Sequence, residues 1–199
     1  MVNNIIKVLL VVIIVVLAYM VYDSIMEPVK FNKEVARRDE IVVQALKDIR
    51  SAEMGFKTIH GRYTANFDTL IDFLKTGQIP EVKIVPDPND TTFTKTIRDT
   101  IGYVPVLDSL YGKRLNFDVN RIKYIPFTKN KVFKLNAGVI EKGGVKVNVF
   151  EASAIYKEYL ADMNTQMVTN LIASKEQIDR FAGLKVGSMT EASTDGNWE

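Results

Sequence analysis

The stretch NNIIKVLLVVIIVVLAYMVYDSI, residues 3–25, constrains this chain more than any other, because fifteen consecutive residues from Val8 to Tyr22 are apolar or aromatic. With Lys7 extending its ammonium to the headgroups, Ile5 to Tyr22 rises about 27 Å as a helix at 1.5 Å per residue, close to the roughly 30 Å hydrocarbon core of a bilayer. A cleaved signal peptide needs small residues before the cut, whereas the exit here reads Ala18-Tyr-Met-Val-Tyr-Asp. A core helix of a soluble protein is disfavoured, because Val11 to Leu17 is apolar on every face and sits at a terminus with nothing polar to turn toward water. The expectation is a retained single-pass anchor in contact with membrane lipid through residues 5–22.

Two charge rules point in different directions for the rest. The short tail bearing Lys7, followed by Asp23 and Glu27, favours a cytoplasmic N-terminus and an exported body, while Lys30, Lys33, Arg37 and Arg38 beyond the apolar stretch weigh against it. Because so short a tail seldom crosses outward, the expected placement is the bacterial inner membrane, N-terminus cytoplasmic and body periplasmic. The absence of cysteine excludes disulfides, zinc-thiolate sites and thiol nucleophiles. A net charge of +2, spread along the chain, lacks the clustered Lys and Arg of a nucleic-acid surface. The division expected is an N-terminal tail and anchor at 1–27, an extracytoplasmic α+β domain at 28–187, and a polar C-terminal tail at 188–199.

Pro28 interrupts the pattern, and residues 34–63 then read as a long amphipathic helix. Val35, Val42, Ala45, Ile49, Ala52, Phe56, Ile59 and Tyr63 recur at helical spacing, while Arg38, Asp48, Glu53 and Lys57 mostly fall on other faces. Glu53 and Lys57 stand at the four-residue spacing of a helix ion pair. Such a stripe suits coiled-coil pairing in a homo-oligomer or packing on the protein's own sheet, and the small residues Ala45, Ala52 and Gly55 favour the second. Gly61 ends this helix. A second, short one follows, with Asn66 as N-cap and Gly77 just past its end.

From Gln78 to Asp90 the prolines predict extended chain and turns, with a strand around Val82 and Ile84. Strand-like alternation recurs at Thr91–Asp99 and at Arg121–Phe127, and Val106–Tyr111 predicts a turn or two of helix ended by Gly112. Phe133, Leu135, Ala137 and Val139 share one strand face, and Val145, Val147 and Val149 one face of the next. Glu141-Lys-Gly-Gly144 is the expected turn of this β-hairpin. A helix is expected over Asn164–Ala182 and a last strand over Leu184–Val186. The fold class is therefore α+β: a transmembrane helix, a long amphipathic helix packed on a small antiparallel sheet, and further helices near the C-terminus.

No pattern of residues specifies catalytic chemistry, and no catalytic, cofactor-binding or metal-ligating residue is assigned. His60 beside Gly61 suits a solvated or helix-capping role. Asp68 and Asp72 share a helix face, as solvated carboxylates do. Asp87-Pro-Asn-Asp90 offers oxygen ligands without the spacing of a calcium loop, and Asn89-Asp-Thr is a short glycosylation pattern. Gly143-Gly144 precedes no helix that could hold phosphate. Ser109, Ser153 and Ser188 have no base near them in sequence. Trp198 reads as a free terminal aromatic or as an anchor for a partner.

An apolar N-terminal helix running into ALKDIRSAEMGFKTIHGRYTANFDTLIDFL, with Phe56, Gly61 and Tyr63 near the helix end and a hairpin-rich region beyond, resembles type IV pilins and type II secretion pseudopilins. The likeness covers roughly residues 5–75. It implies an envelope protein that works by contact with other envelope proteins in a secretion or pilus-type machine. Val8 to Tyr22 carries neither the glycine nor the glutamate of a prepilin peptidase site, so the resemblance implies an unprocessed subunit and transfers no functional residue. The function expected is a membrane-anchored, non-enzymatic pilin-like or scaffold protein. The alternative is a membrane-anchored binding module for a glycan or peptide, with Tyr103, Tyr111, Tyr124 and Phe127 lining its cleft.

Overall fold

A computed structural model describes residues 2–86, 96–114 and 117–199. Helix α1 (Val2–His60) runs as one element of 59 residues through Pro28. The interruption expected at Pro28 does not occur. A proline removes one helical hydrogen bond and crowds the carbonyl four residues before it. That carbonyl, Ser24, lies just past the apolar run, where water can bond it. From Ile6 to Tyr22 every large apolar side chain is at least 43% exposed. This is the one stretch among the described residues long and apolar enough to cross a membrane.

Beyond Glu34 the same helix becomes the spine of a folded domain. Val42, Leu46, Ile49 and Ala52 are fully buried, and Phe56 nearly so. The α+β architecture and the packing of this helix on a small sheet are as expected. Two assignments on it change: Ile59 is 41% exposed, while Arg38, Asp48 and Glu53 are buried. The helix is covered by the sheet on one side and by α2 (Phe67–Thr76), α3 (Val106–Tyr111) and the loop after α3 on another. Packed on two sides, the helix keeps a solvated flank along Arg37, Glu40, Gln44, Met54 and Thr58, so polar residues off that flank are covered. The expected Glu53–Lys57 pair does not form: Glu53 accepts the Thr64 N–H at 3.0 Å, and Lys57 lies 4.7 Å above the Tyr63 ring.

Local rules explain the punctuation. Gly61 takes φ 71° immediately after α1, a left-handed turn that only glycine adopts without cost. The Asn66 side chain accepts from the N–H groups of Asp68 and Thr69, capping α2. Strands β1 (Gln78–Pro86) and β2 (Thr96–Pro105) pair antiparallel as a separate ribbon with a bulge at Glu81/Val82. Residues 91–95 of the expected Thr91–Asp99 strand, and all of Asp87–Asp90, lie outside the described residues. The strand expected at Arg121–Phe127 is instead a 3-10 turn (Val119–Arg121) and a loop joined by one bridge, Tyr124 to Val132. Pro126 has no N–H to donate, and Phe127 and Asn130 take φ of 63° and 62°, which breaks extended pairing.

The main sheet has the order β3-β4-β5, all antiparallel, from β3 (Lys134–Lys142), β4 (Val145–Ile155) and β5 (Gly183–Gly187). Gly143 and Gly144 alone form the turn, both at positive φ, so Lys142 pairs with Val145. That register places Leu135 opposite Ala152 and Ala137 opposite Phe150, the side buried in the core. Val145, Val147 and Val149 therefore lie on the other face. β4 descends from Asn148, which donates to the Gly61 carbonyl at 2.9 Å, toward α4 (Tyr156–Tyr159). The final helix α5 (Thr165–Glu176) is capped by Asn164 and stops short of the expected Ala182; Ile178 is 58% exposed beyond it.

The C-terminal stretch is not free. Gly187 donates to the Asp195 carbonyl and Asn197 to the Lys185 carbonyl, closing the outer edge of β5. Trp198 packs against the core with its indole N–H buried and unpartnered among the described residues. Polar composition alone does not distinguish a solvated tail from one whose backbone pairs with an edge strand.

Candidate functional site

A groove of about 520 Å³ opens where α1, the segment after α3 and the loop before β3 meet. Its floor includes Ala45 and Asp48 of α1. One wall is Phe117, whose ring stacks on buried Tyr111 with centroids 4.0 Å apart. The Tyr111 hydroxyl donates to the Asp48 carbonyl at 2.6 Å, and burial pushes it above the usual phenol range. Arg114 donates to the Asp48 carboxylate and lies 5.2 Å over the Phe117 ring, while Gln44 donates to the same carboxylate at 3.0 Å. The other wall is Tyr124 and Phe127.

Phe127 is held in place by its surroundings. Its φ of 63° is uncommon for a bulky residue and costs on the order of 1–3 kcal/mol. The loop closes under it through Ile125 N–H to the Lys131 carbonyl at 2.8 Å and Thr128 Oγ1 to the Ile125 carbonyl at 2.7 Å. The guanidinium carbons of Arg37 and Arg38 lie 5.3 Å and 4.9 Å from its ring centre, an attraction between cation and ring face.

Arg38 joins this wall to the rest of the domain. It donates to the Tyr159 carbonyl at 2.8 Å, to both oxygens of Asp162 and to Glu34 at 2.9 Å. The bonds from Arg37 and Arg38 hold the Glu34 carboxyl down to about 2, and the Arg38 bond holds Asp162 below the ordinary carboxylate range. Next to it, Tyr159 donates to Asp39 at 2.7 Å, and burial raises Asp39 against the opposing effect of that bond.

The structure gathers only part of what sequence reasoning named. Tyr124 and Phe127 line the groove, Tyr111 lies behind it, and Tyr103 is 66% exposed on the β1–β2 ribbon, away from it. His60 is exposed, with Nδ1 3.2 Å from the Phe56 carbonyl and its ring stacked on Phe56. Asp68 pairs with Lys123 at 3.1 Å, and Asp72 is exposed. Ser153 is buried in β4, Ser109 is exposed, and Ser188 accepts the N–H groups of Thr190 and Glu191. The oxygen ligands of Asp87–Asp90 and the Asn89 acceptor lie outside the described residues. Among the described residues no three His, Asp or Glu side chains converge as a metal site would need.

Asp48, Arg114 and Phe117 were missed. Asp48 lies 66 residues from Arg114, and their meeting depends on tertiary packing. Chemically the groove offers flat apolar faces for stacking and guanidinium donors for a carboxylate or carbonyl. No protein-family model, curated protein or solved structure matches the chain.

Proposed function

We propose that the protein is a single-pass, membrane-anchored component of a bacterial envelope assembly, pilin-like or scaffold in kind, acting by protein contact rather than catalysis. In this reading the N-terminus is cytoplasmic and the body periplasmic. One observation carries it: the exposed apolar stretch and the spine of the folded domain are one unbroken helix, with no linker between them. A tethered enzyme gains from a flexible connection that lets it search for substrate. A part of an assembly gains from a fixed height and direction. Crosslinking in native membranes followed by mass spectrometry tests it: stable partners or a defined homo-oligomer are expected, and recovery of the monomer alone overturns it.

The groove favours a second reading, a binding module for an envelope peptide or glycan. Its aromatic walls, Phe117, Tyr124 and Phe127, suit a short extended ligand. Crosslinked partners that persist after Tyr124→Ala and Phe117→Ala belong to the scaffold reading; partners lost with both belong to the groove.

A further inference from the structure

The domain begins very close to the end of the apolar stretch. Asn164, the cap of α5, donates to Glu27 at 2.9 Å. Glu27 lies five residues beyond Tyr22, about 7.5 Å along a helix. The polar headgroup layer on each side of a bilayer is itself roughly 5–8 Å thick. At its other end α5 carries Lys175, which lines one cleft with Asp39 of α1. Thr165 to Glu176 and Glu27 to Asp39 are nearly equal lengths of helix, about 17–18 Å each. α5 thus rises beside α1 with its first turn lowest, and Arg38 holds the preceding segment through Asp162.

The composition of this base is unlike the rest of the chain beyond the apolar stretch. Met163 to Ser174 carries no charged residue, although a quarter of the whole chain is charged. Gln166, Thr165 and Asn170 are exposed, and Met163 and Met167 are half-buried. The hydroxyl of Thr165 and the amides of Gln166 and Asn170 are donors suited to lipid phosphate and carbonyl oxygens, and the thioethers beside them add apolar surface.

We infer that the base of α5 is a lipid-contact surface: its first turn lies in the headgroup layer, so that the domain stands on the membrane and is not raised above it. This rests on the anchor reading. Asn148, bonded at Gly61, marks the opposite end, about 58 Å beyond Tyr22 by helical rise.

The chain has no cysteine, so single Val15→Cys, Thr165→Cys, Gln166→Cys and Lys146→Cys variants each take one nitroxide label in the full-length protein. The protein is placed in phosphatidylcholine vesicles containing a nickel-chelating lipid, and the relaxation caused by headgroup nickel is read by electron paramagnetic resonance. Labels at 165 and 166 should relax at least several-fold more than the label at 146, and the label at 15 should be reached by oxygen dissolved in the bilayer. A label at 15 in lipid with 165 and 166 no closer to nickel than 146 overturns the docked base while leaving the anchor. A label at 15 in water overturns the anchor reading itself. Labels at 165 and 166 shielded from nickel and from water-soluble chromium oxalate alike would show a protein covering the base, and would also overturn the inference.

Discussion

Arg38 and Asp162 stand 124 residues apart in sequence and meet through two parallel bonds, Nη1 to Oδ1 and Nη2 to Oδ2. The pair fastens the segment between α4 and α5 to the spine helix. It also fixes the guanidinium that supports Phe127 in the groove wall.

Arg38→Ala should destabilise the domain by about 2 kcal/mol, since charged hydrogen bonds contribute roughly 1.5–3 kcal/mol and the exposed Asp162 side is screened. Arg38→Lys retains charge but not the two-pronged geometry and should recover less than half. Urea denaturation midpoints of the detergent-solubilised protein check both.

Glu53 gives stability an unusual slope with pH. It is fully buried, one carboxylate oxygen has no partner among the described residues, and burial pushes it up to about 7 from an ordinary 4.5. Between those values the folded chain holds a proton that the unfolded chain has released. The contribution is fully present below about 4.5 and is lost as pH rises through about 7, on the order of 3 kcal/mol over the window. Glu53→Gln should flatten that slope when unfolding is compared at about pH 5 and pH 8.

The opposite sign holds at Glu34. Its folded value of about 2 lies below the ordinary 4.5, so its contribution is present above 4.5 and declines as pH falls toward 2. Glu34→Gln should lessen the loss of stability below about pH 4, followed by circular dichroism.

Gly187 takes φ 74°, and a Cβ there would stand 2.2 Å from the Phe150 carbonyl oxygen. Gly187→Ala should cost about 2 kcal/mol or more and release the C-terminal stretch from β5. Trp198, the sole tryptophan, reports that release directly: its emission should shift to longer wavelength in the variant while the far-ultraviolet spectrum changes little.

Groups that act within a few residues of themselves were legible in the sequence. Asn66 caps α2 and Gly143-Gly144 turns the hairpin because neither needs a distant partner. The apolar stretch was equally plain. The groove was half legible: Tyr124 and Phe127 stood out as aromatics in a loop, but Asp48 looked like a solvated helix residue until α3 and Arg114 covered it. Glu53 misled for the same reason, since a four-residue spacing to Lys57 describes an isolated helix and not one packed on two sides. Pro28 misled in the other direction. A single missing bond ends a short helix, yet a 59-residue helix continues past it.

With its apolar stretch anchored in a bilayer, as proposed, an unbroken α1 makes the protein a lever. From Tyr22 to His60 the helix extends about 57 Å, with no hinge of loop or glycine pair between. Transmembrane helices commonly lean about 20° from the membrane normal. Tilting from upright to that angle would carry the far end of the domain about 20 Å sideways. A change in bilayer thickness too small to alter any contact within the domain would thus move the distal hairpin by several side-chain widths.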